Sequence, residues 1–183
     1  MLARAGLAGL SMRAVAKRAG VTPGAIYRHF RDKEALVDRV VEQSFEHFER
    51  TLLECIVSLP VGSFARIAAL GDAYIQFAAE HEEEFKILFN PMATGRKRVK
   101  DLPGQGGYST LRRCIVEAME KGAITKGDPS LVAFYLWSRV HGIVMLLLSC
   151  DFADEITVAG GAGPSRLFEL TRGFVVAGLG ARA

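Results

Sequence analysis

The chain has 183 residues, 50% hydrophobic and 23% charged, with a formal net charge of +3. So high an apolar fraction with so small a net charge excludes a disordered chain, and 19 Gly with six Pro but no Gly-x-y period exclude collagen. Three widely spaced cysteines, Cys55, Cys114 and Cys150, give no even disulfide framework; buried thiols in a reducing, cytoplasmic protein are expected. No charged segment followed by an apolar core opens the chain, so no signal peptide is expected. The charge is unevenly placed. Residues 1–33 hold seven basic side chains against the single acid Asp32, whereas residues 34–183 are net acidic. A small basic head on a mildly acidic body points to a polyanion partner for the head alone.

In chain order nearly every segment reads as helix. Ser11 can cap a helix through Ala19, with Met12, Val15, Ala16 and Ala19 on one face and Gly20 as its stop. Thr22 can cap a second helix with Pro23 at its first position. Val21 and Ile26 have the spacing of a hydrophobic staple, with Phe30 also turned inward. Asp32 can cap a long helix to about Leu59 with an apolar stripe from Leu36 onward. A helix from about Phe64 to Glu80 follows, then a short amphipathic turn region from Glu82 to Phe89. The Gly- and Pro-containing stretch Asn90–Gly107 reads as a surface loop. Further helices are expected from about Ser109 to Lys121, from Asp128-Pro129 to about Cys150, and from about Ser165 to Leu179. The stretch Leu131–Cys150 is the most apolar. Arg139 and His141 interrupt it, and its unbroken run from Gly142 is short for a membrane span, so it reads as a core or interface helix with no membrane partner.

Two short helices separated by Gly20-Val21 match the plan of a helix-turn-helix, with the second helix reading DNA. Its outward face carries Gly24, Ala25, Tyr27, Arg28 and His29. Pro-Gly-Ala at its start lets backbone approach DNA closely. Tyr27 and His29 offer polar tips to phosphate, and Arg28 offers a fork that suits guanine. Arg13 and the amides after Ser11 can hold one phosphate, and Lys33 another.

The stretch from Gly9 to Leu36, with its pattern Gly20-Val21-x-x-Gly24-x-Ile26-Tyr27-x-His29-Phe30-x-x-Lys33-Glu34-x-Leu36, resembles the N-terminal signature of the TetR family of bacterial transcriptional regulators. The resemblance implies an all-α homodimer: a helix-turn-helix DNA-binding head over residues 1–45 and a helical ligand-binding and dimerisation body over 46–183. It implies binding to a palindromic double-stranded DNA operator, repression, and release by a small-molecule effector. By position it puts Thr22, Gly24, Ala25, Tyr27, Arg28 and His29 in the reading helix, with Arg13 and Lys33 at the backbone; Ser11, at the start of the first helix, is a further DNA-binding candidate. Such heads have a further helix ahead of a Gly-containing turn. Only Met1–Ala5 stand before Gly6, so that helix is expected to be truncated or the head loose without DNA.

In the body, Trp137-Ser138-Arg139-Val140-His141-Gly142 resembles the Trp-x-x-x-His-Gly feature of one C-terminal class of TetR-like regulators. Trp137 and His141 share a helix face, and Gly142 would permit close helix approach. With Phe77, Phe85, Phe89, Met92 and Tyr108 they are the candidate lining of a mostly apolar ligand pocket. The candidate dimer interface is Leu136, Val140, Ile143 and Leu147 with Leu167, Leu170, Phe174 and Gly178. No catalytic triad with its elbow, P-loop, dinucleotide fingerprint or HExxH occurs, so no catalytic residue and no cofactor is expected. The four His and three Cys lack zinc spacing, and His81 beside Glu82-Glu83-Glu84 reads as a solvated helix start, so no metal is expected. The alternatives are an architectural DNA-binding protein without a ligand and, at a greater distance, an all-helical enzyme.

Overall fold

Four of the described helices begin where a side chain supplies a cap. The computed structural model describes residues 10–89, 106–150 and 178–179. Helix α1 spans Met12–Ala19; the Ser11 hydroxyl accepts from the Ala14 amide, and Gly20 closes it at φ 70°. The closure is a double one, with Gly20 N–H reaching the Lys17 carbonyl and Val21 N–H the Ala16 carbonyl. Helix α2 spans Pro23–His29, and the Thr22 hydroxyl accepts from the Ala25 amide at 3.3 Å. Helix α3 spans Lys33–Glu54 behind Asp32, whose carboxylate accepts from the Ala35 amide at 2.8 Å. Then come α4, Phe64–Glu80, α5, Glu82–Leu88, α6, Gly106–Glu120, and α7, Pro129–Ser149. Asp128 caps α7 by accepting from the Ser130 amide at 2.7 Å. No strand occurs among the described residues.

Two boundaries differ from expectation. Helix α3 ends at Glu54, short of Leu59. Beyond it the Ile56 and Val57 amides reach the carbonyls of Leu53 and Glu54, so the chain tightens into i to i+3 turns although the apolar period continues. The break after these turns centres on Gly62, at φ 79°. A Cβ there would lie 2.9 Å from the Glu117 carbonyl oxygen, so the position requires glycine both for its dihedral and for close passage by α6. Helix α6 starts earlier than expected, at Gly106. Residues 1–9, and with them the question of a first helix, lie outside the described residues. So does the expected 165–179 helix except Gly178 and Leu179, whose carbonyl accepts from the Thr125 amide at 2.9 Å.

The chain forms two compact units, residues 1–48 with 81–105, and residues 49–80 with 106–183. In the first, α1 packs on α2 around Met12, Ala16 and Ile26, with Val15, Phe30 and Leu36 against them. Val21 is 44% exposed and outside this cluster, so the expected staple with Ile26 does not form. The turn that ends α1 directs Val21 outward. Ala19 is also exposed, at the frayed end of its face. Leu10, Val37, Val41, Ser44, Phe45 and Phe48, and Phe85, Ile87 and Leu88 of α5, are buried in this unit as well.

In the second unit α4 packs on α6 and α7, and α6 on α7. Its interior holds Ile75, Phe77, Cys114, Ile115, Ala118 and Ala133, each almost inaccessible. The three thiols are free. Burial pushes Cys55 up to about 11 and raises Cys114 as well, so both stay protonated. Cys150 is exposed, contrary to the expectation of three buried thiols: it follows α7 as its C-terminal cap residue.

Two features of helix α7 bear on the membrane and dimer expectations. At 21 residues and a mean hydropathy of 1.8 it is long and apolar enough to cross a bilayer by length and composition, although its unbroken apolar run is short. Arg139 and His141 stand at its middle, where a charge in a bilayer costs at least about 3 kcal/mol. Second, the face expected to meet a partner chain is turned inward: Leu136 and Val140 are buried in the unit's own core. Ile143 and Leu147 on the same side are half-buried. The outward stripe is Leu131, Phe134, Tyr135, Met145 and Leu146, between 42% and 67% exposed.

Candidate DNA interface and ligand-binding body

Local chemistry shapes the basic head. The left-handed Gly20 turns the chain between α1 and α2, and Pro23 fixes the first turn of α2. Ile26 points to the core, which rotates Gly24, Tyr27, Arg28 and His29 to the surface; Tyr27 is 54% exposed. Ser11, Arg13 and Thr22 are exposed too, while Ala25 and Lys33 are half-buried. Ser11 and Thr22 spend a lone pair on their caps and keep hydroxyls at the surface. A Cβ on Gly24 would meet nothing within 4 Å among the described residues, so packing against them does not require the glycine. Arg31 is bound to Asp32 at 2.7 Å, which raises the guanidinium, and the Ala35 amide, with Arg31 second, holds the Asp32 carboxyl below its ordinary range. The cation that remains on the α2 surface beside the glycine is Arg28.

The same unit has an apolar cleft of about 400 Å³ lined by Leu10, Val15, Leu36, Val37, Val40 and Ile87, with Arg18 and Ala19 at its edge.

The expected pocket residues fall in both units. Tyr108, Trp137, His141 and Phe77 are in the second; Phe85 and Phe89 are in the first, with their rings 4.7 Å apart and Phe48 edge-on to Phe89. Phe77 and Phe85 are closed inside their cores. Met92 lies outside the described residues, as do Leu167, Leu170 and Phe174 of the expected dimer set; Gly178 is exposed.

The second unit gathers one polar pair among aromatics. Tyr74 of α4 and His141 of α7 share a hydrogen bond of 2.8 Å between the hydroxyl and Nδ1. The Tyr108 ring lies 5.7 Å from that of Trp137, and the Tyr108 hydroxyl donates to the Ser130 carbonyl at 3.4 Å. Sequence reasoning missed Tyr74, because a tyrosine within the α4 apolar period looks like any other core side chain. Burial raises the Tyr74 phenol far above its ordinary value and lowers His141, which favours a neutral imidazole. Arg139 is also lowered by burial. Gly142 makes no close approach among the described residues, since a Cβ there would meet nothing within 4 Å of them.

The lowered His141 has a consequence for stability. An unfolded chain takes up the imidazole proton near the ordinary value of 6.5, and the folded chain only at lower pH. Below 6.5 the unfolded state therefore binds more protons, and stability falls as pH falls. Melting temperatures at about pH 7.5 and about pH 5.5 should fall on the acid side in the native chain and less in His141→Gln. Equal acid-side losses in the two proteins would remove this role from His141.

The family of "Bacterial regulatory proteins, tetR family" matches residues 1–40, and the "Tetracyclin repressor-like, C-terminal domain" matches residues 67–170. The HTH-type transcriptional regulator UidR of Escherichia coli K12 is 25% identical over 165 residues, 82% of this chain and 78% of that one. A solved structure of a protein of unknown function from Rhodococcus sp. RHA1 is 30% identical with a TM-score of 0.78, covering 99% of this chain and 90% of that one. AibR in complex with isovaleryl coenzyme A and operator DNA shares the fold at 19% identity, with a TM-score of 0.71 over 99% of this chain and 93% of that one. With the head and more than half of the chain so matched, and with α1 and α2 joined as a helix-turn-helix, the chain belongs to the TetR family of DNA-binding bacterial transcriptional regulators.

Proposed function

We propose that this regulator is a homodimeric repressor that grips a palindromic operator with one α2 helix per copy and releases it when a small, largely apolar molecule enters the helical body. The observation that carries the DNA reading is the surface of α2: Gly24, Tyr27, Arg28 and His29 all stand outward on a helix anchored by Ile26. The effector reading rests on the aromatic group of Tyr74, Tyr108 and Trp137 beside the polar pair of Tyr74 and His141, a pattern that suits a mostly apolar ligand with a polar end. The fold's relative AibR has been captured with both an acyl coenzyme A and operator DNA, which supports the same two inputs here. The Trp137-x-x-x-His141-Gly142 element serves, in this reading, as pocket wall and helix surface at once. Helix α3 runs from Lys33 in the unit of the reading helix to Glu54 in the unit of the body, and offers the covalent route between the two events.

The dimer reading rests on the outer stripe of α7. Gly142 lies between Phe134 and Met145 on that side, leaving room for a second copy to approach. Selection from random DNA is expected to return an inverted repeat. Candidate effectors that quench Trp137 should then weaken operator binding by about 1–3 kcal/mol, or roughly 5- to 150-fold. A selection without symmetry would reject the dimeric reading. Ligands that occupy the body and leave operator affinity unchanged would reject induction.

A further inference from the structure

Outside the surfaces above, one group of side chains is assembled from segments far apart in sequence. His47 lies on α3, and His81 and Glu84 stand at the start of α5, all in the unit that carries the reading helix. His47 Nδ1 lies 3.0 Å from Glu84 Oε2, and His81 Nδ1 lies 3.9 Å from Oε1 of the same carboxylate. The two imidazoles meet edge to face with centroids 4.7 Å apart. One potential ligand atom from each of the three residues lies within 4.8 Å of the other two.

From this convergence we propose that His47, His81 and Glu84 form a site for one divalent transition-metal ion of the zinc type. Two imidazole nitrogens and a carboxylate oxygen are the donors such ions prefer, and three protein ligands leave a coordination position for water. Tetrahedral bonds of about 2 Å place ligand atoms roughly 3.3 Å apart, so the group closes on an ion by side-chain rotation of well under 2 Å. All three side chains are half-buried, which limits their motion without sealing the site from solvent. The first turn of α5 carries Glu82, Glu83 and Glu84, and these carboxylates attract a cation to a helix end whose amides alone would repel it. Glu82 is paired with Lys86, while Glu84 turns to the histidines. The ion would take the place of the hydrogen that links His47 to Glu84 and would fasten α3 to α5. This is an input separate from the effector, and it stands or falls without that reading.

The test uses untagged full-length protein and Zn²⁺ alone. Calorimetry is expected to show one Zn²⁺ per chain, resistant to excess Mg²⁺ because imidazole disfavours the harder ion. Co²⁺ should give the visible d–d bands of a site with nitrogen and oxygen ligands. Zn²⁺ should raise the melting temperature of the native protein. His47→Ala should weaken binding by at least about tenfold. Glu84→Gln keeps the shape of the side chain and should do the same, with helical content unchanged, so a loss of folding in one variant leaves the other to decide. Absence of Zn²⁺ binding to the native chain, or equal binding in a folded variant, would overturn the site.

Discussion

Phe134→Glu is expected to convert the dimer to monomer and to abolish operator binding while leaving the chain folded. The side chain is 64% exposed on the outer stripe of α7, between Leu131 and the pair Met145 and Leu146, so the isolated chain loses little packing when it changes. In a two-fold interface the same residue is altered on both sides. Burying a phenylalanine side chain contributes about 1.5–3 kcal/mol, and two copies double this. Two carboxylates brought into an apolar seam add a desolvation cost of several kcal/mol. The combined loss exceeds about 5 kcal/mol, and each 1.4 kcal/mol is a factor of ten, so a nanomolar dimer becomes monomeric at micromolar concentration. Each monomer then holds a single half-site and loses the effective concentration supplied by its mate. Light scattering with a helical circular dichroism spectrum would read both effects. Leu136→Ala makes the contrast: that side chain is buried in the core of its own unit, so the change should lower the melting temperature, at about 2–5 kcal/mol, without shifting the mass of the folded species. An unchanged dimer in Phe134→Glu would place the interface elsewhere.

The sequence made the capped helix starts legible because caps are local. Ser11, Thr22-Pro23 and Asp128-Pro129 each act on an amide no more than three residues ahead, and Gly20 acts on its own dihedral. The end of α3 was not legible, since Cys55, Ile56 and Leu59 continue the apolar period while the backbone has already changed its hydrogen bonding. Which face of α7 turns into its own unit was not legible for a related reason. Its residues are apolar nearly all round, so periodicity cannot say which side meets α4 and α6 and which is left outward. Tyr74 and His141, or His47 and His81 with Glu84, are brought together by packing between helices, and no spacing along the chain announces such a meeting.

At the reading helix, Arg28→Ala is expected to cost about 1–3 kcal/mol on the operator and to relax preference at the base it contacts. The reason lies in geometry: Ile26 is held in the cluster of α1 and α2, and the next two residues are thereby turned outward with their side chains at the surface. Arg28 carries a planar fork that two acceptors on guanine can satisfy together, an arrangement lysine cannot reproduce. Lys33→Ala, by contrast, removes a point charge near the backbone. It should weaken operator and random DNA alike and reduce the salt slope by about one unit. Gly24→Ala separates folding from binding. The new methyl group meets nothing within 4 Å among the described residues, so the melting temperature should hold; if the α2 backbone approaches DNA at this position, as proposed, affinity should fall. Anisotropy titrations on operator and random duplexes at two salt concentrations distinguish the three variants. If Arg28→Ala loses equal affinity for both duplexes, its contact is with phosphate and sequence is read by other residues of α2.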